Sequence, residues 1–407
     1  EPLRSDCLLF DTTNYYTFMD SKTPSDLAIR GKSKDGKDWL RQVGLALLVA
    51  RDTGIPLFYR EYEGNCHDSN LFSQIQEEIQ LTIKELNPFN NKLTLVFDKG
   101  MNSENNIENI DKEKDIDFIT SYSPYFAQDL AQKDLSHFTP VDSIRNRELA
   151  QKGREEDQIV AWRTTRELWG KERTVVVTYN PRSAAKQRYA FEKKLVSLKD
   201  QLFEMRSKVN AQKSHWKEAA KVKKRYDDFC EKLFLPKDLY NLEFSKKNGQ
   251  LRMWFRKNYY KINKYLKRFG KNIIITSHMD WSTDEIVQAS LDRYVVEHAF
   301  RQSKASEFAN MRPMWHWTDQ KIRCHTLCCT MALTYMQLIS LWLQRAGLDI
   351  TPDKAMSRMR TLSSCLIWHS GKNQPIRIIE DPSPEQQAIL NAFGYEIASG
   401  VSQKLDA

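Results

Sequence analysis

Three carboxylates stand out for the chemistry they would do if brought together. Asp11 follows the apolar run Leu8-Leu9-Phe10, Asp98 follows Leu95-Val96-Phe97, and Glu297 lies on a helix-forming stretch much later in the chain. A buried strand that ends by presenting a carboxylate is an odd use of sequence, and two such strands predict a site. Converging carboxylates repel one another unless cations sit between them. Mg²⁺ takes one or two carboxylates per ion, keeps several waters and draws remaining ligands from substrate phosphates. Two such ions activate a water or hydroxyl and stabilise the leaving oxygen of a phosphodiester. Asp11, Asp98 and Glu297 are therefore the expected catalytic and metal-ligating residues for a two-ion Mg²⁺ site, with Mn²⁺ expected to substitute.

The stretch "WSTDEIVQASLDRYVVEHAFRQSK" predicts one strong helix, opened by a Ser282/Glu285 capping box with Trp281 and Ile286 placed as a hydrophobic staple. At 100° per residue, Ser290, Arg293, Tyr294, Arg301 and Lys304 all fall within about 60° of Glu297. Leu291, Val295 and Ala299 lie on the opposite, core-facing side. Arg293, Arg301 and Lys304 are suited to holding phosphates beside the carboxylates. The competing reading of that face is a solvated one, laced by Arg293–Glu297–Arg301 ion pairs at i,i+4 spacing.

These residues need elements to position them. The strand before Asp11 is followed by strands over 42–50 and 55–62, joined by Arg51-Asp52-Thr53-Gly54. Asp68-Ser69-Asn70 offers a cap to the helix "LFSQIQEEIQLTIKEL". The Asp98 strand, a short helix over 104–110 and the strand "DIDFITSYS" complete the series. Three strands, a helix, a strand, a helix and a strand is the order of a ribonuclease-H-like α/β core. Its first and fourth strands are neighbours, which would bring Asp11 and Asp98 together. Beyond residue 155, "DQIVAWRTTRELWGKERTVVVTYN" predicts a β-hairpin, 183–233 a Lys-rich helical hairpin or coiled coil, and "NIIITSH" a buried strand.

Composition narrows the partners. Over 407 residues the net charge is +9, yet residues 182–272 hold 26 Lys+Arg against 9 Asp+Glu, a local net of +17. A polyanion would be drawn to that block rather than to the whole molecule; a solvated helical face is the blander reading. Hydrophobic residues at 41% and charged residues at 28% indicate a folded chain able to form two or three cores. Seven cysteines without framework spacing suit a reducing, cytoplasmic setting. The chain opens at Glu1 rather than Met, without a signal peptide, so a preceding segment is expected. The stretch from Cys324 to Leu343 is long enough to span a membrane, but His325, Gln337 and Ser340 favour a buried helix with its small thiols inside over a span or a zinc site.

At these residues the sequence resembles the DDE transposases of bacterial insertion sequences, and within them the group with a Tyr-x2-Arg-x3-Glu-x6-Lys signature. Arg293, Glu297 and Lys304 match its spacing, while Ser290 stands at the Tyr position and Tyr294 lies a turn further on. "LLFDTTNYYTF" and "LVFDKGMNS" resemble the blocks of the two aspartates. "SKDGKDWLRQVGLALLVARDTGIPLFYREYEGNCHDSN" and "FANMRPMWHWTDQKIRCHTLCCTMALTYMQL" resemble the stretches between the aspartates and after the Lys. The likeness runs over about residues 6–345.

It implies metal-dependent cleavage at insertion-sequence ends and strand transfer into target DNA, with DNA contacts from Arg293, Tyr294, Arg301 and Lys304. It also implies an N-terminal end-binding region, a homodimer on DNA and action in the bacterial cytoplasm at the nucleoid. The expected layout is a catalytic core over 1–155 and 271–345, interrupted by a basic, DNA-contacting insertion over 156–270, with an appendage over 346–407. Two rivals are a ribonuclease-H-like structure-selective nuclease or resolvase, and an inactive relative that only binds DNA. Trp162, Trp169, Trp216, Trp254 and Trp281 suit packing first and base stacking second.

Overall fold

The computed structural model describes residues 6–86, 92–124, 127–247, 249–368, 375–398 and 401–404. They form two compact units, Glu1–Thr120 with Ala289–Ala407, and Ser121–Gln288. The boundaries expected at 155 and 270 both lie inside the second unit.

The first unit begins with β1 (Cys7–Thr17), the two-residue β2 (Ile29–Arg30), β3 (Arg41–Ala50) and β4 (Pro56–Glu63). Helix α1 (Asp68–Leu86), β5 (Leu93–Phe97), α2 (Glu104–Ile110) and β6 (Ile116–Tyr122) follow. Strand β1 is antiparallel to β3, which carries β4 and the short β2 on its far edge; β5 is parallel to β1, and β6 to β5. The order β4-β3-β1-β5-β6, three antiparallel strands followed by two parallel ones, is ribonuclease-H-like. Every residue of β5 is buried, as expected for a strand packed on both faces. Phe72 on α1 packs its ring against Phe10 at 5.2 Å and Phe97 at 5.1 Å, and Phe118 follows Phe97 at 6.1 Å. All four are fully buried. Each such ring contributes roughly 2–3 kcal/mol by burial alone. Phe10 and Phe97 are also the residues immediately before Asp11 and Asp98, so the aromatic row clamps the backbone from which both carboxylates project.

In the second unit α3 (Gln128–Gln132), β7 (Thr139–Pro140) and α4 (Ile144–Gln151) precede the hairpin β8 (Val160–Leu168) and β9 (Lys171–Tyr179). Its turn, Trp169-Gly170, has φ of 52° and 69°, the left-handed pair that matches the twist of two-residue hairpins. The Lys-rich stretch is a helical hairpin, α5 (Pro181–Asn210) and α6 (Ala219–Lys232). A second β-hairpin, β10 (Tyr240–Lys247) with β11 (Gln250–Lys257), and α7 (Tyr259–Leu266) close a core around Leu198, Leu202, Tyr226, Leu239 and Met253. Strand β12 (Lys271–Thr276) pairs antiparallel with β9, and α8 (Thr283–Leu291) begins at the expected capping box, with Ser282 and Glu285 bonded in both directions.

The long helix expected from Trp281 onward is interrupted. It ends at Leu291, and α9 (Tyr294–Ala305) starts anew after Asp292 and Arg293. The reason lies outside the helix: Asp292 turns inward to meet Arg51 at 2.7 Å, and the Val295 N–H bonds its carbonyl in a tightened turn. The wheel drawn through Ser290 therefore does not hold, because Ser290 belongs to α8.

A second correction concerns α10 (Asp319–Arg345), expected to be buried. Only one third of its apolar window is covered, on the face that meets β4, α9 and the small helices α11 (Pro352–Met359) and α12 (Pro384–Ala392). Cys324 and Cys328 are exposed and Cys329 is half-buried, so the first two thiols are not core residues. The hairpins β13 (Ser364–Ile367) with β14 (Ile376–Ile379), and β15 (Tyr395–Ala398) with β16 (Val401–Lys404), complete the chain.

Candidate active site

The parallel ladder between β1 and β5 matches Cys7 with Thr94, Leu8 with Leu95 and Leu9 with Val96. Continued for two residues, that register sets Asp11 opposite Asp98, on strands about 4.8 Å apart. Asp11 does not end its strand, contrary to expectation. Strand β1 runs on to Thr17, held throughout by β3, because Thr12 to Thr17 is a run of β-forming and polar residues with an antiparallel partner. It is β5 that stops. At Asp98 the chain leaves the sheet into a 3₁₀ turn over Lys99–Met101, and Asp11 therefore lies just past the last parallel rung.

The environments of the two carboxylates differ. Burial holds the Asp11 carboxyl above the ordinary carboxylate range and Asp98 adds to the effect, while the Thr12 N–H at 2.8 Å, Lys34 and Arg293 pull the other way. Asp98 is more open, its side chain 40% exposed, and accepts from Arg293 Nη1 at 3.0 Å; Arg293 itself is 18% exposed. Arg293 thus stands at the junction of α8 and α9 as the cation between the two aspartates. The helix break sets it there: Asp292 meets Arg51, and Arg293, the N-cap of α9, meets Asp98.

Glu297 is exposed, one turn along α9 from Arg293, and its backbone N–H bonds the Arg293 carbonyl at 3.3 Å. Residues four apart on a helix share a face, so Glu297 lies on the side that Arg293 shows to Asp98. Tyr294, 60% exposed, and Arg301 are solvent-facing on the same helix. Lys304 is different. Its side chain is 14% exposed and its ammonium meets Asp35 at 3.5 Å, over the ring of Tyr15. Among the described residues no three His, Cys, Asp or Glu side chains form a ready-made metal cage.

Sequence reasoning passed over several groups that the fold brings here. The Thr12 hydroxyl donates to Asp68 at 2.9 Å, and Lys34 donates to the Thr12 carbonyl at 2.5 Å. Asp68 lies in the first turn of α1 rather than capping it; the His67 carbonyl receives the N–H groups of Asn70 and Leu71. No local signal marks Lys34 or Asp68 as site residues, because one arrives from a loop and the other from the start of α1, 20 to 60 positions from Asp11 in sequence.

The sequence matches the transposase DDE domain family over residues 17–333. That is more than three quarters of the chain.

The chain belongs to the DDE transposase family.

Among solved structures, a similar fold occurs in a piggyBac transposase synaptic complex with hairpin DNA, at 7% sequence identity and a TM-score of 0.42. The alignment covers 87% of this transposase-family chain and 51% of the other, so the chain spans about half the length of that relative. Among curated proteins none matches. In the second unit of this DDE family member, Lys133, Arg188, Lys267 and Lys271 line a pocket of ≈ 440 Å³ whose described wall carries one carboxylate, Asp134. Lys271 is half-buried, and that burial, with Lys267 nearby, lowers its ammonium to about 8. It is tethered to the carbonyls of Ala131 at 2.8 Å and Lys133 at 2.5 Å. Of the five tryptophans of this region, Trp162, Trp216 and Trp281 are engaged by Lys133, Arg225 and His278, and Trp169 by Tyr122; Trp254 is 49% exposed.

Proposed function

We propose that this chain is a DNA transposase that cleaves DNA at the ends of an insertion sequence and joins the freed 3′-ends to target DNA. The observation that carries the proposal is the placement of Asp11 opposite Asp98 by strand register, in a chain of the DDE family. The residues fit divalent cations. Two carboxylates side by side satisfy what one Mg²⁺ asks of protein ligands, and a buried Asp11 held protonatable by burial and by Asp98 is relieved by a nearby positive ion. Asp11 and Asp98 would hold the ions, with Glu297 closing the set from α9. Bound there, Mg²⁺ or Mn²⁺ supplies an activated water or 3′-hydroxyl and neutralises the leaving oxygen.

The chain's own residues do the rest. The Phe10–Phe72–Phe97 row fixes the spacing of the two aspartates, which must be right to within a fraction of an ångström for in-line attack. Arg293 holds Asp98 and screens its repulsion with Asp11 until the ions are in place. Tyr294 and Arg301, open to solvent on the helix of Glu297, would meet phosphates flanking the scissile bond. The basic block over 182–272 and the Lys133/Arg188/Lys267/Lys271 pocket would hold duplex DNA. Two ends must be processed together, so the DNA-bound form is proposed to be a homodimer, acting at the bacterial nucleoid.

The test is excision and joining. A plasmid carrying the coding sequence with its native flanking DNA is incubated with the protein and Mg²⁺ or Mn²⁺. Cleavage at the flanks followed by joining of 3′-ends to a second plasmid is expected, and Asp11→Asn, Asp98→Asn and Glu297→Gln should each abolish both while sparing DNA binding. Cutting without joining would indicate a nuclease, and binding without cutting an inactive relative.

A further inference from the structure

Lys304, expected from the sequence to contact DNA, is instead engaged within the fold, and this raises the question of what it holds. Lys304 and Arg312 converge on Asp35, at 3.5 Å and 3.0 Å, and Arg312 Nε also bonds the Lys304 carbonyl at 2.8 Å. Asp35 sits in the loop Gly31–Asp38, "GKSKDGKD", which joins β2 to β3. That loop is clamped a second time by Asn14 of β1, itself 8% exposed: its side-chain amide donates to the Lys32 carbonyl at 2.7 Å and its carbonyl accepts from the Lys34 N–H at 3.0 Å. A third tie runs from the Ser33 N–H to Asp38 at 2.6 Å.

The product of these ties is a fixed position for Lys34. Its ammonium is bonded to the Thr12 carbonyl at 2.5 Å, one residue from Asp11, and its charge is felt by the Asp11 carboxyl. An ammonium has three donors in a flexible head, and Lys34 remains exposed to solvent. It lines a pocket of ≈ 480 Å³ together with Asn14, Lys32, Asn65, His67 and Asp68. The floor of this pocket is backbone against backbone. A Cβ added at Gly31 would stand 2.1 Å from the Gly64 carbonyl oxygen, so the loops of Lys34 and His67 close on each other only because Gly31 lacks a side chain; one added at Gly64 would stand 2.1 Å from the Gln42 carbonyl oxygen. Asp68, the carboxylate in that wall, is occupied by the Thr12 hydroxyl at 2.9 Å. What the pocket offers a ligand is two lysines, the Asn65 amide and an imidazole against the one carboxylate of Asp68, a donor set for an anion.

We infer that this pocket seats a backbone phosphate of the DNA strand at the Asp11 site, with Lys34 as the anion contact, and that Lys304 is a positioning residue acting on it through Asp35. The inference rests on the transposase reading for the identity of the strand. A lysine held by a backbone carbonyl is pre-oriented, so little further ordering is required when a phosphate arrives.

The experiment measures affinity for a DNA duplex carrying the element's end across a salt series, and cleavage of the same DNA in parallel. Neutralising one phosphate contact lowers the slope of log Kobs against log salt by about 0.9. Lys34→Ala should show that loss while remaining folded by circular dichroism at the assay temperature, and should slow cleavage at least tenfold; Lys34→Arg should recover most of both. Lys304→Met should reproduce the lost slope although its own side chain is 14% exposed, and combining it with Lys34→Ala should lower the slope no further. A wild-type slope in Lys34→Ala overturns the inference. A further full drop in the double variant overturns the positioning role of Lys304, since that lysine would then hold a phosphate of its own. If the wild type binds DNA with a slope that Lys34→Ala reduces, yet never cuts, the pocket stands and the transposase reading falls. Cutting that Lys34→Ala leaves at the wild-type rate and slope has the reverse meaning.

Discussion

Asp11 and Asp98 look alike in sequence, each following an apolar run, yet the structure makes opposite demands on them, and replacing each by Asn should separate them in metal-free buffer. The Asp11 carboxyl is held above its ordinary range chiefly by burial and then by Asp98. Its ionised form is therefore a burden on the folded state at every pH above its folded value. The burden disappears as the pH falls past that value toward the unfolded one, because both states are then protonated. Asp11→Asn removes the charge and keeps an acceptor for the Thr12 N–H, so at pH 7 it should stabilise by about 1 kcal/mol, the scale on which relief of a functional-site conflict is felt. Asp98→Asn removes the partner of Arg293, whose guanidinium is 18% exposed and bonded at 3.0 Å. At an effective dielectric of about 20 the gross attraction at that distance is roughly 5 kcal/mol. Because Asp98 is 40% exposed, solvent screening leaves a net cost of about 1–2 kcal/mol.

The assay is urea unfolding with EDTA at pH 7 and again at pH 4.5. Asp11→Asn should raise the midpoint at pH 7 and lose most of that gain at pH 4.5, while Asp98→Asn should lower the midpoint at pH 7. Mn²⁺ should then lift the wild type above both variants. Wild type gains about 2.7 kcal/mol at a hundred times its dissociation constant, and neither variant should follow. Destabilisation by Asp11→Asn at pH 7, equal in size at pH 4.5, would refute the reasoning, since it would mean that the carboxylate is a structural hydrogen-bonding group rather than a strained ligand.

Three further outcomes follow from particular contacts. Phe72→Ala should cost about 3–5 kcal/mol, the range for emptying a buried aromatic site, and should reduce cleavage beyond what stability explains, because Phe10 and Phe97 lose the ring that spaces the aspartates; Phe72→Leu, read by the same denaturation and cleavage assays, should recover part of both. Asp292→Ala leaves Arg51 half-buried without its 2.7 Å partner and removes the pull that ends α8, so Arg293 should disengage from Asp98; a loss of about 2–3 kcal/mol in urea unfolding and a helical content raised in circular dichroism are expected. In side-chain nitrogen NMR, Lys271 should titrate near 8, well below the ordinary lysine range; the second unit should gain stability as pH rises through 8, since the folded state resists carrying that charge.

Much of the fold was legible because its signals are local. Apolar runs such as Leu93–Phe97, the Ser282/Glu285 box and the punctuation at Gly54 and Gly170 each report on a few neighbouring residues, and strand order follows once their sequence along the chain is recognised. The pairing of Asp11 with Asp98 was legible for the same reason: in that order the first and fourth strands are neighbours, and register is fixed by two short buried runs. The interruption of α8 and α9 was not, because the helical period through Leu291 and Val295 is sound and the force that breaks it comes from Arg51, 241 positions away in sequence. The misreading of α10 is similar. Its apolar composition is real, but composition cannot say how many elements will cover a helix, and only one face is covered.

The sequence by itself determined most of the elements, the strand order and the neighbouring places of Asp11 and Asp98, since local propensity and hydrophobic period suffice for these. Only the tertiary structure decided which cation each acid meets. Arg293 on Asp98, Lys34 beside Asp11 and Lys304 locked to Asp35 all arise where loops and helix ends distant in sequence are packed together. Electrostatic attraction at that range acts through space and leaves no periodic trace along the chain.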